Sequence, residues 1–207
     1  MQPGRLTAII LFTCLACLPG RVVFAADTLG INSTVYKADN LQNLRNAAKS
    51  QLKYAQSRGL DEQFFFLVDM SIPSGKNRFF VYDLKQDSVI MSGLVTHGKG
   101  NGPWRLDPVF SNSVGSNCTS LGRYKIGGSY MGSFGLAYKL HGLDSSNSNA
   151  YSRFVVLHAN ESVPDKEVYP YPICQSEGCP TVSNKFLGKL DNFLKKRQRP
   201  VLLYIFR

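Results

Sequence analysis

From Phe64 onward, short runs of aromatic and β-branched residues alternate with clusters of Gly, Pro, Asn and Ser. That texture restricts the chain to a fold built mainly from strands. Phe64–Met70 (FFFLVDM) is apolar almost throughout and reads as a buried strand. Arg78–Leu84 and Ser88–Val95 follow, with a turn at Ile72–Asn77 and a short link at Lys85-Gln86-Asp87, so the three are expected to form an antiparallel meander. Leu121–Ile126, Leu136–Leu140 and Arg153–His158 are further short strands, and Val201–Phe206 is a last buried one beyond Pro200. Val109–Ser120 and Asp144–Asn149 are rich in Ser and Asn and are expected to be loops. His97–Pro103 (HGKGNGP) is glycine-rich, but no helix pattern follows it and no Lys-Ser/Thr ends it, so it does not read as a phosphate loop.

Two segments keep a helical period instead. Leu41, Leu44, Ala48, Leu52 and Ala55 recur on one face between Ala38 and Arg58, with Asp39 placed as an N-cap and Gly59 as a C-cap. Asp27–Lys37 before it is expected to be irregular. Ser183 is a good N-cap for a second helix to about Arg197, with Phe186, Leu190, Phe193 and Leu194 on one face. The class is therefore mainly β (α+β), an antiparallel sheet or sandwich with an N-terminal helix and a second helix after Cys179. A length of 207 residues without internal repeats fits one domain over 61–207, preceded by a helical segment over 26–60.

Residues 1–25 read as an address rather than as fold. Arg5 precedes the apolar stretch Leu6–Leu18, Pro19-Gly20 breaks it, and Val23-Phe24-Ala25 fits the small-x-small rule, which places a signal-peptide cut after Ala25. A lipid-attachment signal is a weaker alternative, because Cys17 follows a poor match to the lipid box. No apolar run reaches the roughly 18 residues that span a bilayer, so stable membrane insertion of the processed chain is not expected. Cleavage removes Arg5 and Arg21 and no acid, so the formal charge of +10 becomes +8. Such a chain is drawn to anionic surfaces. No helix–turn–helix, RNA-recognition or zinc-finger pattern accompanies the charge, which argues against a nucleic-acid partner.

Five cysteines become three after processing: Cys118, Cys174 and Cys179. His158 closes the strand-like run RFVVLH, and Cys179 stands in Ser176-Glu177-Gly178-Cys179-Pro180. A histidine at a strand end and a cysteine on a glycine turn can be neighbours in space, and a Cys–His pair about 3 Å apart is a nucleophile with its base. An imidazolium there would lower the thiol pKa. Gly178 permits a sharp turn and lets backbone N–H groups face a developing oxyanion. By residue type alone, a cysteine beside a glycine in an exported chain is more often half of a disulfide than a nucleophile, and a single histidine more often a surface or packing residue. The spacing from Cys174 to Cys179 does not suit a zinc site.

Ser176-x-Gly178-Cys179-Pro180, with His158 21 residues upstream, resembles the active-site signature of the YkuD-type L,D-transpeptidases, most closely the murein L,D-transpeptidase catalytic domain family. Further matching stretches are Phe66–Met70, Phe80–Leu84, Thr96-His97-Gly98, Phe110–Asn112, Ser120–Gly122 and Leu140–Leu143, so that the likeness runs from Phe64 to Phe206. The resemblance implies a mostly β fold and a periplasmic, cofactor-free and metal-free monomer acting on peptidoglycan stem peptides. Cys179 is implied as nucleophile, His158 as base and later acid, Gly178 with the backbone at Cys179 as oxyanion site, and Ser176 as the residue that orients the turn or the histidine. The implied reaction is attack on the third-residue carbonyl of a tetrapeptide stem, loss of D-Ala, and transfer to a neighbouring amine. Transfer to water, as in an L,D-carboxypeptidase or endopeptidase, or a catalytically silent wall-binding protein are the rival readings. With Cys179 assigned as nucleophile, Cys118–Cys174 is the expected disulfide, against a Cys174–Cys179 bridge or three free thiols. His97 and His141 are alternative pocket histidines. Ala159, Gln175 and Glu177 depart from the family pattern, and a carboxylate at 177 would raise the thiol pKa unless a cation pairs with it.

Overall fold

The computed structural model describes residues 27–207, with side chains described from residue 40. The signal peptide predicted over residues 1–25 lies outside them. The chain divides into residues 1–36 and 37–207. Of the first unit only helical residues 27–36 are described. The whole sheet belongs to the second.

The elements are α1 (Asp27–Ser57), β1 (Phe64–Asp69), β2 (Phe79–Asp83), β3 (Ser88–Gly93), β4 (Gly122–Gly132), β5 (Gly135–Gly142), a single 3-10 turn at Ser145–Asn147, β6 (Val156–Ala159), β7 (Thr181–Val182), α2 (Asn184–Leu194) and β8 (Leu202–Phe206). All eight strands form one sheet in the order β3-β2-β1-β8-β4-β5-β6-β7. The predicted meander is β3-β2-β1, antiparallel throughout. The sheet as a whole is mixed, because β8 joins β1 in parallel and β7 joins β6 in parallel. Parallel neighbours need a long connection: β6 and β7 are joined by the long loop between Ala159 and Thr181, and β8 reaches β1 only after the intervening strands and α2.

The sheet is covered on both faces, which explains why β1 shows no polar alternation. Phe65 and Leu67 pack with Phe80, Tyr82 and Leu202 against Leu44, Ala48 and Ala55 of α1. Phe66 and Val68 point the other way, to Phe79, Leu203 and the α2 residues Phe186, Leu187 and Leu190. Phe64 and Phe66 also meet the ring of Phe193 at centroid distances of 5.0 and 5.9 Å. Successive strand side chains alternate faces, so a strand between two apolar layers must be apolar at every position.

α1 runs through Asp39, which is not its N-cap, and through Asp27–Lys37, where the sequence pattern predicted irregular chain. Its end matches expectation. Leu60 N–H donates to Ala55 C=O at 3.0 Å and Gly59 N–H to Gln56 C=O at 3.3 Å, with Gly59 in the left-handed region at φ 64°. This is the two-bond C-terminal cap that glycine permits. Ser183 caps α2, its Oγ accepting from Phe186 N–H at 3.2 Å.

Two differences shape the site. β6 begins at Val156, not Arg153, because Asn149–Phe154 is a turn that ends in Phe154 at φ 54°. That turn sends Arg153 sideways into the Ser111–Ser120 loop. β7, only two residues long, had no sequence signal.

Candidate active site

β6 and β7 pair in register, His158 opposite Thr181 and Ala159 opposite Val182. This short ladder brings Cys179, two residues before Thr181, to the strand that carries His158. Both residues line one cavity of about 620 Å³, together with Thr96, Arg153, Phe154, Ser176, Thr181 and Phe134.

The turn that presents the thiol is tied down at the Cys179 carbonyl. That oxygen accepts from Ser176 Oγ at 2.6 Å and Thr96 Oγ1 at 3.3 Å. Gly178 N–H donates to Ser176 Oγ at 3.2 Å. Ser176 thus orients the turn, not the histidine. Ser176 is itself held by the glycine-rich loop: Ser176 N–H donates to His97 C=O at 2.9 Å and Lys99 N–H donates to Ser176 C=O at 2.8 Å. Gly178 is in the left-handed region at φ 111°, and a Cβ there would lie 2.8 Å from the Cys118 carbonyl and 3.2 Å from Arg153 Nη2. Only glycine satisfies both the angle and the space.

Carbonyls only accept, so the 3.0 Å contact between His158 Nδ1 and Ala159 C=O assigns the proton of the neutral ring to Nδ1. Nε2 then holds the lone pair and accepts from Thr181 Oγ1 at 3.0 Å. Phe134, at the tip of the β4–β5 hairpin, stacks on the same imidazole, with centroids 4.9 Å apart and planes 26° apart. The Cys179 thiol donates weakly to Phe154 C=O at 3.7 Å and accepts from Val156 N–H at 3.5 Å. Sulfur and imidazole therefore share the cavity but are not hydrogen-bonded to each other.

Burial pushes the Cys179 thiol above its ordinary pKa, more than Val156 N–H and the Arg153 charge pull it down. Burial likewise lowers His158, only partly offset by its bond to Ala159. Both shifts favour the thiol and the neutral imidazole over a thiolate–imidazolium pair, because burial disfavours the charged form of each group and no hydrogen bond joins them. Glu177 contributes the smallest of the effects on the thiol, since its carboxylate is taken by Lys99 Nζ at 2.9 Å.

The other sequence candidates lie elsewhere. Neither the expected Cys118–Cys174 disulfide nor a Cys174–Cys179 bridge is formed, and all three cysteines are free. Cys118 is buried, donating to Ser116 C=O at 3.3 Å, and lines a small separate cavity of about 150 Å³. Cys174 is exposed and sits on the wall of the Cys179 cavity, so Cys118 and Cys174 face different spaces. His97 lines the small cavity, not the large one. It is almost fully buried, its Nδ1 accepts from the buried guanidinium of Arg78 at 3.0 Å, and burial holds its pKa down at about 4. His97 is thus a neutral support behind the Ser176 turn. His141 stacks on Tyr151 at 5.8 Å and lines a third cavity.

The site roles of Arg153, Thr181, Thr96 and Phe134 were not legible in the sequence. Arg153 reaches back to Ser111 C=O at 2.9 Å and Cys118 C=O at 2.5 Å, which pins the loop beneath Gly178. Thr181 carried a usable signal, because a hydroxyl two residues past the candidate cysteine shares its neighbourhood. The others depend on contacts distant in sequence.

No curated protein matches this chain significantly. Solved structures similar to it include the carbamoyl enzyme of Ldtfm with avibactam (TM-score 0.44, 11% identity, 71% of this chain and 50% of that one). An L,D-transpeptidase from Mycobacterium smegmatis is similar at TM-score 0.42 and 11% identity, over 70% of this chain and 59% of that one. The helical cell shape determining protein Pgp2 from Campylobacter jejuni is similar at TM-score 0.42 and 12% identity, over 69% and 47%. The chain thus spans about half the length of these proteins. Residues 36–206 match the family described as the L,D-transpeptidase catalytic domain, which takes in the whole sheet, both sides of the cavity and the Cys179 turn. The chain belongs to the L,D-transpeptidase catalytic domain family.

Proposed function

We propose that this protein is an exported cysteine acyltransferase of peptidoglycan, with Cys179 as nucleophile and His158 as base. The observation that carries the reading is the β6–β7 register, which seats a glycine-turn cysteine and a tautomer-defined histidine in one cavity. A stem tetrapeptide enters with its third-residue carbonyl against Cys179. Rotation of the thiol toward Nε2, which exchanges the Thr181 hydroxyl for the S–H proton, starts the attack. General-base transfer suits a resting thiol better than a preformed ion pair does. Gly178 N–H is held by Ser176, so the oxyanion falls to the backbone N–H of Cys179. His158 returns the proton to the departing D-Ala amine and leaves a thioester. Attack by the side-chain amine of a second stem then joins third residue to third residue.

Water in place of the amine would make the enzyme an L,D-carboxypeptidase or endopeptidase, and digestion of wall material followed by mass spectrometry separates cross-linked dimers from trimmed tripeptides. The test of the common site is acylation by a carbapenem. Wild-type protein gains the mass of the drug on Cys179, and Cys179→Ala does not. A folded wild-type protein that stays unmodified while stems are also left intact marks a silent wall-binding protein and overturns the reading. Export rests on the N-terminal signal, and the mature chain should begin at Ala26 in periplasmic extracts.

A further inference from the structure

Away from the Cys179 cavity, the register of β4 against β5 shifts between Ile126 and Ser129. The bulge at Gly127-Gly128 opens a concavity of about 520 Å³ against the segment from Leu194 to Val201 that links α2 to β8. Lys125, Lys195, Arg197, Arg199 and His141 line it, and no lining residue is acidic. Lys195 is paired with Asp191 at 2.7 Å, and Arg199 is bonded to Glu62. Lys125 and Arg197 have no carboxylate partner among the described residues. The guanidinium of Arg197 lies instead over the rings of Phe64 and Phe193, at 4.7 and 4.8 Å, which holds the cation without neutralising it. Its Nε is buried without an acceptor. A groove with surplus fixed positive charge concentrates anions.

We propose that this groove binds an anionic glycan strand through its carboxylate or phosphate groups. The cavity is concave, which a flat lipid surface cannot fill. Its one lining aromatic, Tyr138, is buried with its hydroxyl on Asp191 at 2.7 Å and offers no face for a nucleic-acid base to stack on. The choice of a glycan rests on the proposed wall-facing function, whereas the anion specificity rests on the groove alone. Bound there, a polymer would tether the enzyme to the wall while the Cys179 cavity stays free.

The test is done on Cys179→Ala protein, so that binding is read without turnover. Trigalacturonate supplies carboxylates, a glycerol phosphate oligomer supplies phosphodiesters, and chitotriose is the neutral control. Titration by calorimetry is paired with NMR of the His141 ring, which faces the groove beside Lys125 and whose pKa burial, Lys125 and Lys139 hold low. An anion in the groove moves the His141 titration to higher pH and leaves His158 unchanged. Lys125→Glu and the milder Lys125→Gln weaken binding, the former about tenfold, on the scale of a near-surface charge pair. Gly128→Asp does the same without removing a contact, since a Cβ there meets nothing within 4 Å. The tighter of the two anionic probes names the group recognised. Equal binding of chitotriose, tighter binding of an oligothymidylate, or anion binding indifferent to both substitutions overturns the proposal. Carbapenem acylation of the wild type is scored separately, so failure here leaves the catalytic reading standing.

Discussion

Thr181 Oγ1 lies 3.0 Å from His158 Nε2, on the strand that begins just past the Cys179 thiol. The hydroxyl donates to the neutral ring and so favours the unprotonated base. Thr181→Val keeps the shape and the backbone bond to Thr96. It should leave thermal stability nearly unchanged and lower kcat about tenfold, less than the roughly 10²–10⁴-fold of a general base itself, because Thr181 acts only through His158. Loss of that donor raises the His158 pKa, so the acid limb of the rate profile moves to higher pH. An unmoved profile with unchanged kcat would show that Thr181 takes no part.

The thiol's raised pKa predicts its chemistry at rest. In a Cys174→Ser background, which removes the exposed competitor, iodoacetamide should label Cys179 with a midpoint above the ordinary thiol value of about 8.5. His158→Ala should leave that midpoint in place. A plateau of labelling at acid pH that His158→Ala abolishes would instead reveal a resting thiolate–imidazolium pair.

Lys99 screens the Cys179 site from Glu177, at a 2.9 Å contact between exposed side chains. Glu177→Gln should therefore change the alkylation midpoint little, whereas Lys99→Met frees the carboxylate and moves the midpoint upward. The measurement is the same pH series on both variants. If Glu177→Gln alone produces a large fall, the screening argument is wrong.

Two glycines with positive φ should respond differently. Gly59→Ala meets nothing within 4 Å and costs only the left-handed strain, about 1–2 kcal/mol, with activity retained in the folded fraction. Gly178→Ala meets the Cys118 carbonyl at 2.8 Å and must displace the turn that carries the thiol. Acylation of folded protein should fall at least about a hundredfold, the effect of misplacing a reacting group by about 1 Å. Denaturant melts and carbapenem labelling, run on both variants, check the contrast.

The strands of the meander, β8, the capped end of α1 and the start of α2 were legible because each is written in local periodicity and cap chemistry. Phe64–Met70 could be a strand covered on two sides and little else, and Ser183 and Gly59 mark boundaries through bonds made within a few residues. The pairing of Cys179 with His158 was suggested by a motif resemblance. The roles of Thr181, Arg153 and Phe134, the free state of Cys118 and Cys174, and the exclusion of His97 and His141 from the Cys179 cavity were decided by tertiary structure. A two-residue strand has too few positions to show a period, and its register with β6 comes from contacts across the sheet. The protonation of the pair was likewise out of reach of sequence, because desolvation depends on what surrounds a group in space and not on what stands beside it in the chain.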